Sequence, residues 1–354
     1  MPEETTGLKE ARPTIVVGNE VNGPLGGGML SMMIVEDTSG LYRCEAKFGN
    51  WGEKNSTTDF LYFDRRVLDF GKDFEIKLGS DSIFKGKIMG LEASFPEGQS
   101  PEISVLAEDR FQDLRMTRRT RTFNDVSDAD VIKQIATDHG LTPEVSLPGP
   151  TYKVLAQVNQ SDLAFIRDRA RSIDAEVWMI DKTLHAKTHA GRNGDKLQMT
   201  YGNQLREFTV LADLAMQRTS VAVNGWNISS KSAMQFEATD AAISSELNGD
   251  TSGVSILQSA LGQRKEALAH TVPLNDQEAQ FEAEAFFKMS ARRFVVGRGV
   301  AETNKSLRAG SQLDLQGLGP LFNGKYYVAE VKHLFDSTKG LRSEFRSERV
   351  GIGR

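Results

Sequence analysis

The segments Phe84-Lys-Gly86-Lys87 and Phe322-Asn-Gly324-Lys325 stand near opposite ends of the chain and have nearly the same sequence. An apolar, strand-like run precedes each of them, and a long strand, a polar turn containing glycine and a further strand follow. A glycine that recurs at one point of a strand marks a bulge or the close approach of another backbone. We therefore predict two copies of one β-unit, in which Phe84 is equivalent to Phe322 and Gly86 to Gly324.

Strand patterns fill the sequence around the first of these segments. Short apolar or alternating runs recur in residues 1–110, and Gly, Asp, Ser and Pro separate them at Gly49, Gly71, 79–81 and 96–98. Several short strands at this spacing are typical of an antiparallel sandwich or barrel. Strand character returns from Leu205 to Val223 and again towards the end of the chain.

The pattern changes to α+β after Asp113. Ser127, followed by Asp130, predicts a helix that starts with a capping box in which a shorter acid is used. Gly140 is a suitable end for this helix, and a second helix is predicted from Ser161. Their apolar stripes, which we predict to be buried, include Ile132, Ile135, Leu163 and Ile166.

Three later segments differ in how clearly they can be assigned. Val177–Ala186 predicts a hairpin across Asp181-Lys182, and Asp276–Arg293 predicts a helix capped by Asp276. The stretch from Lys231 to His270 is small and polar, and its pattern predicts no particular structure.

Composition and charge exclude several classes of protein. The single Cys44 excludes a disulfide framework and a site built from several cysteines. The net charge of −5 argues against nucleic acid or an anionic membrane as the main partner. The polar stretch 1–14 predicts no secretory signal, and the longest apolar run, Met29–Val35, is far shorter than the roughly 20 residues that cross a bilayer. We therefore expect no nucleic-acid partner and no membrane insertion.

No pattern for catalysis, metal binding or cofactor binding emerges. His185 and His189 are four residues apart, but on a strand that spacing separates them by roughly 13 Å, which is too far for one ion. Gly299–Ser306 approaches a phosphate-binding loop, but Asn304 replaces its second glycine and strand-like sequence follows, so we interpret it as a hairpin turn. No carboxylates are marked by their surroundings as a general acid and base. We expect no catalytic residue, no metal and no cofactor.

A basic cluster follows the first strand-rich region. It consists of Arg115, Arg118, Arg119 and Arg121 and lacks interleaved aromatic residues. Two interpretations stay open, a solvated segment and a salt-bridging surface towards another subunit or partner.

The middle and the end of the chain contain a series of short motifs whose order and spacing are specific: Phe123–Leu141, Gln157–Phe165, Arg167–Arg171, Ala212–Gln217, Gly225-Trp226, Gly317–Phe322, Gly324–Val328, His333–Asp336 and Phe345–Arg349. In these motifs the chain resembles the phage late-control D family, the baseplate hub proteins of contractile phage tails and injection systems, which is related to the hub part of VgrG proteins. The resemblance covers residues 120 to 350, and residues 1–110 match weakly.

The resemblance implies a mainly β, α+β fold with two tube-protein-like antiparallel β-barrels and inserted α+β domains. The corresponding domains are 1–112, the first barrel; 113–199, an α+β domain; 200–233 with 294–354, the second barrel; and 234–293, an inserted, partly helical segment. The family is structural, so no catalytic residues carry over.

The same resemblance implies a homotrimer that joins a six-fold inner tube to a three-fold central spike and contacts other baseplate proteins. VgrG-type chains continue into a spike, whereas this sequence ends at Arg354, so we expect the spike to be a separate polypeptide. Assembly is expected in the bacterial cytoplasm, and the sequence does not distinguish a phage from an injection system.

Two functions of other classes are alternatives. A tail-associated enzyme that degrades cell wall or carbohydrate would need a cleft with two carboxylates, at least one of them with a raised pKa. A carbohydrate-binding β-protein would favour exposed aromatic residues, and the chain has only three Trp and six Tyr.

Overall fold

The structure is a computed structural model that describes residues 12–227, 230–269 and 273–353. Strands outnumber helices, and antiparallel pairing dominates a central sheet of 13 strands. The expectation of a mainly β fold with antiparallel sheets is therefore confirmed. Residues 1–11 of the polar stretch 1–14, and His270 at the end of the unassigned stretch Lys231–His270, lie outside the described residues.

The first part of the chain forms one β-unit around its own apolar core. A short helix, α1 (Gly23–Gly27), and nine strands build it. The strands are β1 (Thr14–Val17), β2 (Glu20–Val21), β3 (Met29–Asp37), β4 (Arg43–Gly49), β5 (Trp51–Lys54), β6 (Thr57–Phe60), β7 (Asp73–Leu78), β8 (Asp81–Ser94) and β9 (Glu102–Glu108). Alternating residues of these strands, among them Phe48, Phe74 and Ile76, are fully buried, because successive side chains of a strand point to opposite faces.

A small α+β region follows. Its elements are α2 (Phe111–Arg115), β10 (Arg118–Val126), α3 (Asp128–Asp138), β11 (Thr142–Ser146), β12 (Tyr152–Ser161), α4 (Asp162–Arg171), β13 (Ala175–Ile180) and β14 (Thr183–Thr188), then a 3₁₀ turn at His189–Gly191. Ser127 caps α3 in a capping box with Asp130, and Ser161 caps α4, as the sequence predicts. The predicted hairpin is β13–β14.

A second β-unit is built from separated stretches. It contains β15 (Lys196–Thr200), β16 (Leu205–Ala212), β21 (Val295–Ala301), β22 (Gln312–Gln316), α7 (Gly319–Phe322), β23 (Gly324–Asp336) and β24 (Gly340–Arg349). Its own core includes the fully buried Leu313, Leu315 and Val328. The two units are not separate sheets, because β23 pairs with β3 and joins their strands into one continuous sheet, from which only the β5–β6 hairpin is separate.

A smaller sheet and two helices lie between the stretches of the second unit. They are β17 (Ser220–Asn227), β18 (Ser232–Thr239), a 3₁₀ segment (Asp240–Glu246), β19 (Thr251–Ser252), α5 (Gly253–Leu261), β20 (Lys265–Leu268) and α6 (Asp276–Arg292); β19 pairs with β25 (Gly351–Ile352). The residue that caps α6 is Asn275, whose side chain accepts a hydrogen bond from the Glu278 N–H, and not the predicted Asp276.

Two strands, β15 and β17, belong to other parts of the fold than the predicted domain boundaries assign to them. β15 begins before position 200 but pairs with β22 of the second unit, and β17 precedes position 234 but pairs with β18 and β20 of the inserted sheet. The β15–β22 and β17–β20 pairings join residues far apart in the sequence, which local patterns do not reveal. The division into four parts otherwise stays a prediction.

One local interpretation is wrong. Gly299–Ser306 is not a hairpin turn, because β21 ends at Ala301 and the next strand, β22, pairs with β15 and β23 instead of β21. Among the described residues no helix is both long enough and apolar enough to cross a membrane.

The burial of the middle helices yields a stability test. Ile132, Ile135, Leu163 and Ile166 are at most 1 % exposed, as predicted. Replacing Ile135 by Asp should lower the free energy of unfolding by at least about 3 kcal/mol, because the carboxylate would be buried without a partner. Gln134→Asp, at an exposed position of the same helix, should change it by under about 1 kcal/mol. Thermal or denaturant unfolding measures both, and equal effects would contradict the placement of the helix.

Candidate functional site

The two β-units correspond strand by strand. The order of strands is β1-β7-β8-β9-β4-β3 in the first unit and β15-β22-β23-β24-β21-β16 in the second. At their centres Lys87 lies opposite Glu108, and Tyr327 lies opposite Glu348. One difference is that β1 is antiparallel to β7 whereas β15 is parallel to β22. The chain therefore contains one β-unit twice.

β-Bulges occur at corresponding places in both units. A bulge inserts one residue into a strand and shifts the register beyond it, so shared bulges mean shared registers on both sides. The register shifts lie at Ile88/Gly90 in β8 and Val328/Glu330 in β23, and at Met29/Ser31 in β3 and Leu205/Glu207 in β16. Thus β16 corresponds to β3, and β8 corresponds to β23, residue by residue.

The strand pairings align the two similar segments, Phe84–Lys87 and Phe322–Lys325, in a different way from their sequences. Counted back from Lys87 and Tyr327, Gly324 corresponds to Phe84 and not to Gly86, and Phe322 lies in α7 before the strand. The glycines also meet different constraints. A Cβ on Gly86 would lie 2.2 Å from the Glu108 carbonyl oxygen, whereas Gly324 has a φ of 127°. The strand pairings therefore show the duplication, but their alignment differs by two residues from the sequence match that predicted it.

The junction between the units is an antiparallel ladder of β3 and β23. It runs from Glu330 opposite Asp37 to Asp336 opposite Ser31. The side chains that face inward are buried, and their cross-strand pairs are Val331 with Glu36, His333 with Ile34, and Phe335 with Met32. The junction is thus packed as tightly as the interior of each unit.

Two polar side chains are buried in this junction. Glu36 is 1 % exposed and forms a two-pronged ion pair with Arg308 of the second unit, with 2.8 Å from Nε to Oε2 and 2.5 Å from Nη2 to Oε1. His333 is fully buried, its Nδ1 lies 2.8 Å from the Ser343 Oγ, and burial lowers its pKa to about 4. His333 is therefore neutral at pH 7 and serves packing.

Arg192 connects the two β-units and the α+β region. Its guanidinium donates to Glu176 of the α+β region (2.7 Å), to the Tyr42 hydroxyl of the first unit (3.0 Å) and to the Ala309 carbonyl of the second. It also lies over the ring of Trp178, 4.3 Å from the centroid. The side chain is 5 % exposed. Arg192 therefore fixes how the two β-units and the α+β region meet.

Glu176 is held ionised by these contacts. Burial alone would raise the pKa of Glu176, but the hydrogen bond from His189 and the charge of Arg192 outweigh burial and lower the pKa to about 2. The Tyr327 hydroxyl donates to the same carboxylate at 2.7 Å. His185 and His189, four residues apart in the sequence, thus have separate surroundings, since His185 stacks on Trp178 and contacts Glu144.

Three members of the basic cluster make their contacts within the α+β region, and the fourth contacts the end of β9 in the first unit. Asp162, 1 % exposed, accepts from Arg119 at 3.1 Å and from Arg121 at 2.8 Å. Arg115 pairs with Glu108, and Arg118 donates to the Asn159 carbonyl. These contacts account for the positions of all four side chains. The location of the cluster at a subunit boundary stays a prediction.

One cleft has features that the enzyme alternative would need. It has a volume of about 540 Å³, and Glu36 and Asp109 are among its lining residues. Burial raises the pKa of Asp109 to about 7. Both carboxylates, however, are engaged by the protein itself, Glu36 by Arg308, and Asp109 by the N–H groups of Tyr42 and Phe111, each at 2.9 Å. In the described part of the chain no cluster of three or more His, Cys, Asp and Glu could hold a metal ion.

Comparison with solved structures gives the fold a context. The 43 kDa tail protein of prophage MuSo2 from Shewanella oneidensis is 10% identical, with a TM-score of 0.72 over 96% of this chain and 98% of that chain. A tail protein from Neisseria meningitidis MC58 is 12% identical, with a TM-score of 0.69 over 97% of both chains. The E. coli c3393 protein, a component of the type VI secretion system similar in structure to the T4 tail proteins gp27 and gp5, is 10% identical, with a TM-score of 0.62 over 96% and 79%. The chain therefore has the fold of phage tail proteins.

A family model described as the Alg8 N-terminal domain matches residues 48–336. The chain belongs to this family. The family name denotes a domain and does not state an activity. No curated protein sequence matches the chain.

The contacts between Glu176 and Arg192 yield a prediction about the stability of the protein in acid. The folded pKa of Glu176, about 2, lies below the ordinary value of about 4.3. Its contribution to stability is therefore complete above about pH 4.3 and is lost as the pH falls towards 2. Glu176→Gln should lower the free energy of unfolding at pH 7 by on the order of 3 kcal/mol and reduce its dependence on pH between 4.5 and 2.

Denaturant unfolding at several pH values measures this effect. Glu144→Gln is the matched control, since this carboxylate is 52% exposed and pairs with Lys187 at the surface, where such pairs contribute little. If the stability of the Glu176→Gln protein changed with pH in the same way as that of the wild type, the lowered pKa of Glu176 and its contribution to stability would be refuted.

Proposed function

We propose that this chain is the structural hub of a contractile phage tail or contractile injection system. It acts as a homotrimer of pseudo-six-fold symmetry that joins the inner tube to the central spike. The observation that carries the proposal is the β-unit that occurs twice in one chain with the same strand order and bulges. Three such chains present six equivalent units to a tube, whereas elements that occur once per chain present three-fold symmetry to a spike.

The fold shared with the tail proteins of Shewanella and Neisseria supports this assignment. Within it we assign the chain to the late-control D type of hub. Its partners are two further copies of itself, the inner tube protein, a spike protein and other baseplate proteins, and assembly takes place in the bacterial cytoplasm. The arginine cluster at 115–121 lies near a subunit boundary in this proposal.

The mass of the purified chain tests the proposal. We expect three copies per assembly, either from the chain alone or after addition of its spike, and three copies in particles imaged by cryo-electron microscopy. Mass photometry or native mass spectrometry gives the first number. A stable dimer, or a copy number other than three per particle, would contradict the adapter function.

The enzyme alternative has its own test. We expect no turnover of peptidoglycan, polysaccharide or phosphodiesters, because Glu36 and Asp109 are used to hold the protein together. Assays compare the wild type with Glu36→Gln and Asp109→Asn, after circular dichroism has verified that both are folded. Turnover that either substitution abolishes would replace the structural function by an enzymatic one.

A further inference from the structure

Two strands of the central sheet, β16 and β8, each have an edge segment without a strand partner among the described residues. β16 pairs on one side with β21, and on its other edge only Leu205 is bridged, to Tyr201, so that the edge from Phe208 to Ala212 is open. β8 pairs with β9 along Lys87–Ser94, but on the opposite edge its backbone pairing with β7 and the residues before β7 ends at Ile88. The segment Gly90–Ser94 therefore also has an open edge. Exposed edges of this kind are sites at which another strand can pair.

These two edges are the counterparts of the junction inside the chain. β16 corresponds to β3, and Gly90–Ser94 corresponds to the part of β23 that begins at Glu330 and pairs with β3. The C-terminal ends of β3 and β16 also correspond, because Asp37 accepts a hydrogen bond from the Ser39 N–H and Asp213 accepts one from the Ala215 N–H. Each chain thus contains one completed junction and the two separate halves of another.

We propose that β16 of one copy pairs with Gly90–Ser94 of β8 in the next copy, antiparallel and in the register of the β3–β23 ladder. The inference rests on the proposed function in that a repeated junction of this kind closes the ring of units. The corresponding register places Gly90 opposite Asp213 and Ser94 opposite Thr209. Between and beyond these it places Leu91 opposite Ala212, Glu92 opposite Leu211, Ala93 opposite Val210 and Phe95 opposite Phe208.

The side chains fit this register. The inward-facing pairs are Leu91 with Ala212, Ala93 with Val210, and Phe95 with Phe208, and every member is apolar. Phe95 is 64% exposed in the single chain, although its ring packs on Phe60 and Phe63. Phe208 packs on Tyr326 and Phe345 of the second unit. The ladder would join two aromatic clusters that a single chain leaves at its edges.

The partner is a second copy and not a different protein, because the two open edges complement each other. A shift of one residue would turn Val210 and Ala93 to opposite faces of the sheet, so the apolar pattern allows few registers. The contact is head to tail, since the edge of β16 meets the edge of β8 and not another β16. Such a contact forms a ring when its rotation closes.

Cysteine cross-linking tests the ladder and its register. In a Cys44→Ala background, full-length chains carrying Ala93→Cys or Val210→Cys are co-expressed and oxidised. We expect a covalent dimer from the mixture and none from either variant alone. The matched control for register is Ala93→Cys with Ala212→Cys, which lies on the same face one pair further along and should cross-link at least tenfold less.

A second variant protects the test from effects on folding. Ala93→Lys places a charge at an exposed position that the ladder would bury, so assembly should be lost while the melting temperature of the single chain is kept. Glu92→Lys, whose side chain points to the other face, should assemble. Loss of assembly in both variants or in neither would overturn the ladder.

The outcomes separate the ladder from the hub. A trimer without the Ala93–Val210 cross-link overturns the ladder and leaves the proposed function standing. A cross-linked assembly with another number of copies supports the ladder and overturns the trimeric hub. A chain that stays monomeric at high concentration, with its spike present and without cross-links, overturns both.

Discussion

The ladder between β3 and β23 is the contact on which the architecture depends. It converts two β-units, each with its own apolar core, into one sheet, and it is the only strand pairing that joins them in the described chain. Its inward face contains Ile34, Met32 and Phe335, which are at most 3% exposed. Separation of the units would expose these side chains and leave a row of unpaired main-chain groups, both of which cost free energy.

Arginines rather than apolar residues determine the angles at which the regions meet. Arg192 joins the two units to the α+β region, Arg292 joins α6 to Asp174, and Arg308 joins the second unit to Glu36 of β3. A buried ion pair adds little net stability, because desolvation offsets the attraction, yet removal of one partner is costly. The planar guanidinium accepts only a few geometries. These contacts therefore favour one relative orientation of regions whose apolar surfaces alone would allow several.

Local features of the fold were accessible from the sequence, and its long-range pairings were not. The capping box at Ser127 and the stripe containing Ile135 fix α3, because both depend on residues within one or two turns. The duplication was visible in the two similar segments, but their sequence match is two residues out of step with the alignment that the strand pairings give. Arg192 could not be recognised at all, since its partners Tyr42 and Ala309 lie 150 and 117 residues away. The β3–β23 ladder, which joins the two units, belongs to this second class.

The differences between the units matter as much as their likeness. β5 and β6 form a hairpin between β4 and β7, with Trp51 45% exposed, whereas the corresponding connection from Glu302 to Ser311 contains no strand, although all of it is described. The first strands also differ, antiparallel in one unit and parallel in the other. In the proposed trimer the shared ladders would repeat six times and these features three times. A six-fold partner would then bind where the ladders are shared, and a three-fold partner could use the hairpin, so that duplication followed by local divergence would suffice for the proposed adapter.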